Sequence, residues 1–583
     1  MSDQQPYPPY PFNQDPEATV HYRTPGGGPT PAGYGRQAGY GQQPGYEQQA
    51  GYGQQAGYGQ QAGYGQQAGY GQQPYGYAPP PVEGPPTWQG GELGPPMQPP
   101  PPPGHRRKRR GGWLLAVIAA VIVALVGGGG VYAMNLLSGG GTQPEDVLPG
   151  DALVYARLDL DPSAAQKLAL FSLARKFPAT QDSFSGDDPR KALAELIGKS
   201  GALDKIDYAR DIQPWLGDRI GLALRAPADT KKGQPEVVLA VQVTDEAAAR
   251  TGLAKLNKGG ELKGLAFREG YALMAATQRA ADGYAAAAPL SANANFTADL
   301  KSLGDPGILS FWADMGHLSK IIADTTGADR AALGLAENAR FAGALRFDSG
   351  YAELSVATSG VKAVDASEPS RIADLPASTV GAVSISGLGD LLSKQWPELL
   401  KTIESAAGAQ GGGDIVAMAQ QAYGITLPDD AVTLLGKNLT VAVDEKGLDG
   451  ELPNIGAVLT TDPAKAQEVV AKLEAAAQKS GTGVPQIAKV AADGRLVLAS
   501  TQDYAALLAQ DGALGDSETF KTAVPDAGSA SAALYVDLDK LEKYYLNSLN
   551  GDERASVEKL KAVGISGRQS GDTGSFTLRV LFN

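Results

Sequence analysis

The chain has 583 residues, 43% of them hydrophobic and 19% charged, with three histidines and no cysteine. A chain this long outgrows one core, so at least two folded units are expected; without cysteine it has no disulfide scaffold, thiolate metal site, thiol nucleophile or lipidated-cysteine anchor. Residues 1–112 carry seven basic and six acidic side chains, so of the total net charge of −13 the remainder holds −14, and an acidic folded part excludes nucleic acid as the expected partner.

Residues 1–105 come first and are rich in Pro, Gly, Gln and Tyr. From Tyr34 to Tyr70 a tyrosine recurs every sixth residue, in the unit Ala-Gly-Tyr-Gly-Gln-Gln seen at Ala50–Gln55 and Ala56–Gln61. A period of six fits neither a helix nor a strand with one buried face. The unit has too little apolar area to offset ordering entropy, so this head is predicted to be disordered. Pro99–Pro103 favours polyproline II. The head reads as a solvated tether, or as a multivalent contact region whose tyrosines act as weak stickers.

A basic flank, residues 106–112, follows with Arg106, Arg107, Lys108, Arg109 and Arg110. Trp113–Met134 is then free of charge. At ~1.5 Å per residue it spans roughly 33 Å as a helix, enough to cross a hydrocarbon core. Trp113 and Tyr132 sit where interfacial anchors belong, and the basic cluster predicts a cytoplasmic head with the C-terminal part outside. A cleaved signal peptide would start near the N-terminus, and this run starts past residue 110. The expected localisation is therefore the cell membrane, single-pass.

After a linker at 135–145 the pattern changes to strands and helices. Ala152–Leu160 alternates, with Ala152, Val154, Ala156, Leu158 and Leu160 on one face and Leu153, Tyr155, Arg157 and Asp159 on the other. Ser575–Phe582 alternates likewise, and period two with one wet face predicts antiparallel sheet. Pro463–Gln478 has a helical stripe of Ala466, Val469, Val470 and Leu473, with Asp462 as N-cap and Pro463 at the first position.

The C-terminal part also resembles itself. Leu148-Pro149 recurs as Leu375-Pro376, and Leu216-Gly217 as Leu435-Gly436. Thr244-Asp245 recurs as Thr461-Asp462, and Thr277-Gln278 as Thr501-Gln502. Phe296, Asp314 and Leu318 match Phe520, Asp537 and Leu541. The order is kept and the offset stays near 220, so 146–365 and 370–583 are predicted to be two tandem copies of one fold. Hairpins separated by helices predict an α+β class, a mainly antiparallel sheet with helices on one face. The two sheets could join edge to edge or pack as a pseudo-symmetric pair.

This order of parts resembles the bacterial membrane-anchored family catalogued as domain of unknown function 3352. The likeness rests on the head, the Arg106–Arg110 cluster with its apolar run, Val147-Leu-Pro-Gly-Asp-Ala-Leu-Val-Tyr-Ala156 and Phe171-Ser-Leu-Ala-Arg-Lys-Phe-Pro178. It implies an envelope protein of high-GC Gram-positive bacteria and supplies no catalytic residue.

Chemical constellations are few. Gly198-Lys199-Ser200 lacks the earlier glycine of a phosphate loop, since that position is Leu193, and reads as a helix stop. Gly564-Ile565-Ser566-Gly567 lacks the second glycine of a nucleophile elbow. His317 reads as a solvated helix-start residue. Asp159 with Asp161, and Asp537 with Asp539, could offer oxygens to a hard cation but read more simply as helix caps. Trp215, Trp312 and Trp396 read as core, with an aromatic-lined groove as the alternative. No catalytic, cofactor-binding or metal residue is therefore expected.

The expected function is a noncatalytic cell-envelope binding or scaffold protein. The bilayer is one expected partner, an envelope protein or polymer a second through the outer module, and a cytoplasmic protein a third through the head. Its rivals are an extracytoplasmic carboxylate-dependent hydrolase using Asp159 and Asp161, and a cytoplasmic multivalent scaffold acting through the repeats.

Overall fold

Sixteen strands, paired antiparallel throughout, form one sheet in the computed structural model. It describes residues 141–583 except 187, 200–205, 228–234, 258–259, 327–335, 362–367, 408–411, 451–452 and 482–486. The first half supplies β1 (Ala152–Asp159), β2 (Leu216–Arg225), β3 (Glu236–Val243), β4 (Gly264–Arg268), β5 (Tyr271–Ala275), β6 (Leu309–Asp314), β7 (Arg340–Phe347) and β8 (Tyr351–Ser359). The second supplies β9 (Thr379–Ser386), β10 (Asn438–Asp444), β11 (Ile455–Thr460), β12 (Ala488–Ala492), β13 (Arg495–Ala499), β14 (Ala532–Asp537), β15 (Leu560–Ser570) and β16 (Thr573–Phe582).

The spatial order is β12-β13-β11-β10-β9-β14-β15-β16-β8-β7-β6-β1-β2-β3-β5-β4, which repeats the same sequence of strands from either edge inward. The halves meet where β8 pairs with β16. At the middle of that pairing Ser355 faces Thr577, residues in equivalent positions of the two halves. The seam thus has the self-complementary geometry of a two-fold interface.

The expected fold of one membrane-crossing helix followed by two sheet modules is corrected in two respects. Among the described residues no helix is long and apolar enough to cross a membrane. The longest, Leu388–Ala407, has 20 residues but carries Asp390, Lys394, Glu398, Lys401 and Glu404. The head 1–105, the basic flank and Trp113–Met134, with Trp113 and Tyr132, lie outside the described residues. Second, helices lie on both faces of the sheet and not on one; the halves join edge to edge, one of the two arrangements left open by the sequence, in a single α+β sheet.

Directly paired residues share a face, so the register assigns the two faces. One is aromatic in character: Tyr155 pairs with Trp312, and Phe296 meets both rings edge-on, with centroids 5.0 and 5.5 Å away. Helices Gln278–Ala286 and Ala294–Leu303 cover it in the first half, with a core of Tyr155, Ala223, Leu273, Phe296 and Trp312. The opposite face is aliphatic. There helix Glu246–Leu256 packs Ala249 and Leu253 on Leu239, Val241 and Met274.

The face of β1 expected to be wet is the buried one. Arg157 is 5% exposed and Asp159 6%, because the acid is paired to Arg157 (2.6 Å) and to Arg219 of β2 (3.5 Å). Helix Pro144–Val147 closes over this cluster. Its Pro144 sits so close to Gly221 that a Cβ there would lie 2.3 Å from the Pro144 Cβ, while Glu145 accepts a hydrogen bond from Tyr155 Oη at 2.5 Å. Register places Ser384, Ser386 and Asn438 at the equivalent positions of the second half, where a neutral network replaces the charges.

A second ion cluster bridges the seam. Glu353 of β8 accepts from Arg346 of β7 at 2.6 Å and from Arg579 of β16 at 2.9 Å, and the Arg579 guanidinium lies 4.2 Å over the Tyr351 ring. The two-fold counterparts are Arg568, Ser575 and Ala357, so only one side of the seam is ionic.

Candidate functional site

A cleft of about 700 Å³ opens at the outer end of the first half. Its walls come from the turn before β1 (Pro149–Asp151), the end of β2 (Arg225), the start of β3 (Glu236) and helix Gln278–Ala286 with the segment that follows it. The floor is fixed by main-chain bonds. Gly150 N donates to Ala288 O at 2.8 Å, and Leu290 N to Leu148 O at 2.8 Å. Asn293 caps helix Ala294–Leu303 through its side-chain oxygen and donates its amide to Gly150 O at 3.2 Å. Thr277 caps helix Gln278–Ala286 in the same way, which sets that wall.

Arg225 organises the cleft. Its guanidinium binds the Asp151 carboxylate through two nitrogens, donates to Glu236 Oε2 at 2.6 Å and stacks 4.8 Å over the Tyr284 ring. Tyr284 Oη donates to the same Glu236 oxygen at 2.5 Å. The Arg225 hydrogen bond holds the Asp151 carboxyl below the usual carboxylate range, and burial followed by the Glu236 bond raises the Tyr284 phenol. Both acids are thereby committed to one arginine, in fork geometry that favours a fixed orientation. Arg279, the second residue of the helix wall, is exposed and makes no ion pair among the described residues. The cleft therefore offers a cation beside apolar walls from Ala280, Ala287 and Pro289, over a rigid polar floor. Such an arrangement can hold an acidic group with an apolar body.

This construction is particular to the first half. Register and helix position set Ser378, Asp444, Leu508 and Asp503 where the first half has Asp151, Arg225, Tyr284 and Arg279. Asp444 is 1% exposed and accepts from Ser378 Oγ at 3.0 Å, so the central charge is reversed.

The residues singled out in the sequence lie elsewhere. Asp159 is locked between two arginines, while Asp161 pairs with Lys167 and leaves the capping of helix Ala164–Ala174 to Ser163. Asp537 does cap helix Leu538–Tyr545, and Asp539 accepts from the Asn583 side-chain amide at 2.8 Å. No group of three or more acids or histidines among the described residues is placed to hold a metal ion. Gly198 and Lys199 end helix Pro189–Lys199, whereas a phosphate loop would open one. Ser566 lies buried inside β15, with no elbow. His317 is exposed, and its Nδ1 lies 2.7 Å from Asp314, which also caps its main-chain N–H. Trp215 and Trp312 are core residues that donate to Asp211 O (2.7 Å) and Asp299 Oδ2 (2.9 Å), whereas Trp396 is half-buried on helix Leu388–Ala407.

Fold and cleft together define an α+β protein on one continuous antiparallel sheet, with a cleft built into one half. Residues 115–298, about a third of the chain, match the family model described as Protein of unknown function (DUF3352). The match contains every residue lining the cleft, Pro149 to Asn293. No curated protein and no solved structure matches the chain.

Proposed function

We propose that the protein is a noncatalytic cell-envelope binding protein whose first half captures an acidic envelope polymer or protein segment in the cleft. The observation that carries this reading is the pairing of a pre-fixed Arg225–Asp151–Glu236–Tyr284 floor with Arg279, a cation that has no ion pair among the described residues. What supports a noncatalytic role is that both cleft acids are spent on holding Arg225, so neither is left to move protons. Placement at the cell membrane, with this half on the outer side, is part of the proposal and rests on the charge distribution of residues 106–134 alone.

Titration of the full chain with the soluble acidic polymer fraction of the envelope tests the reading. Arg279→Glu should weaken binding roughly tenfold and flatten its salt dependence, with melting unchanged. Equal binding by the variant and the native chain would remove the cleft from the function. Protease treatment of intact cells tests the placement: degradation of residues 146–583 from outside is expected, and full protection would refute it.

A further inference from the structure

The aliphatic face is chemically uniform across the five strands at the centre of the sheet. Strand pairing aligns Val383, Leu534, Ile565, Leu578 and Leu354 in one row across β9, β14, β15, β16 and β8. A parallel row runs from Gly381 to Ala352 and another from Ile385 to Val356, and no position in the three rows bears a polar or charged side chain. The strand amides and carbonyls are used in the ladders, so the face offers a ligand nothing but hydrocarbon.

Among the described residues the cover over this face thins here, leaving Leu534, Ile565 and Leu578 only partly buried. One and two strands farther along, Leu345 and Leu309 are 7% and 8% exposed and cluster with Ala169 and Leu173 of helix Ala164–Ala174. By contrast, Val383 is 36% exposed and Phe576 37%. No described atom lies within 4 Å of where a side chain at Gly381 would begin, and at Gly567 the nearest are strand carbonyl oxygens at 3.7 and 3.9 Å. Four inter-strand steps of ~4.8 Å give a strip about 19 Å long, comparable with the roughly 15 Å acyl layer of one membrane leaflet.

Charge marks one side of the strip, past the end of β16. Beyond Val580 the next residue on this face is Phe582, whose ring meets Phe177 edge-on at 5.8 Å and which pairs with Leu560. Lys176 adjoins Phe177 and Lys559 adjoins Leu560. Burial and then the Lys559 charge lower the Lys176 ammonium. Lys176 donates to the Asn583 carbonyl, Asp539 takes the Asn583 amide, and Lys559 makes no ion pair among the described residues. Two neighbouring cations at the side of a hydrocarbon strip complement an anionic amphiphile.

We propose that this face seats the chain of one long-chain fatty acid, with its carboxylate at Lys176 and Lys559. The site is separate from the cleft and does not depend on it.

Titration of the full-length protein, stripped of lipid, with a fluorescent long-chain fatty acid tests this. One saturable site is expected. Gly381→Leu fills the seat at a backbone conformation open to any residue and should weaken binding roughly tenfold with melting unchanged. Val383→Asp, at an exposed position, should do the same and serves if the first variant does not fold. Lys559→Glu should weaken the fatty acid but not the matching long-chain alcohol, and Arg279→Glu should leave binding intact. No saturable binding, binding unaltered by both Gly381→Leu and Val383→Asp, or equal loss with Arg279→Glu would overturn the proposal. So would a concentration-dependent dimer abolished by Gly381→Leu, which would give the face to a second copy.

Discussion

Asp159→Ala is expected to destabilise the first half by about 3–5 kcal/mol, because it leaves Arg157 and Arg219 charged, buried and without their shared acid. The comparison lies within the same chain. Ser386 occupies the equivalent position in the second half and accepts from Asn438 Nδ2 at 2.8 Å. Ser386→Ala removes one neutral hydrogen bond and should cost only about 1 kcal/mol. Denaturant unfolding followed by hydrogen exchange resolves the two, with lost protection confined first to β1 and β2 in the Asp159 variant. A loss below about 1 kcal/mol for Asp159→Ala would show that both arginines reach water.

Glu353→Ala should have a comparable effect, about 3–5 kcal/mol, and a different location. It strands Arg346 and Arg579 on opposite sides of the seam, so protection should fall in β8 and β16 together. Burial pushes the Glu353 carboxyl upward, but Arg579, Ser355 and Arg346 outweigh it and hold the group below its ordinary 4.5. Asp299 is also held below its ordinary value against burial, by bonds from Arg340, Trp312 and Ser359. A carboxyl more acidic in the folded than in the unfolded chain contributes fully above the unfolded value. That contribution is lost as pH falls through the folded one. The native protein should therefore lose stability steeply below about pH 4.5. Glu353→Gln should lie lower at neutral pH and show a shallower acid slope, and an unchanged slope would count against this assignment.

The sequence reading succeeded where one element's pattern decides the structure. Alternation marked β1 and β16. The helix at Pro463–Lys479 begins at its expected Asp462 cap, which accepts from Ala464 N and Lys465 N. The reading failed where distant residues decide. In β1 the apolar side was assigned to the core, yet the Tyr155–Asp159 side is buried because Arg219, 60 positions away, neutralises its charge. Helices were placed on one face because alternation predicts one wet side, whereas helices such as Glu246–Leu256 cover the other. The cleft had no local signal at all. Asp151, Arg225, Glu236 and Tyr284 belong to four elements, and only register brings them together. Arg279 could have been noticed as the position where the matched Thr-Gln pairs are followed by opposite charges, Arg279 and Asp503.

The pairing of β8 with β16 makes the molecule behave as a covalently linked dimer whose tether is dispensable. The nine-residue ladder from Tyr351 to Ser359 joins the halves regardless of the peptide that connects β8 to β9. A nick in that peptide should leave a two-fragment assembly that sediments as one particle. Separating it would expose two raw sheet edges at once, so neither fragment should remain soluble after its counterpart is removed.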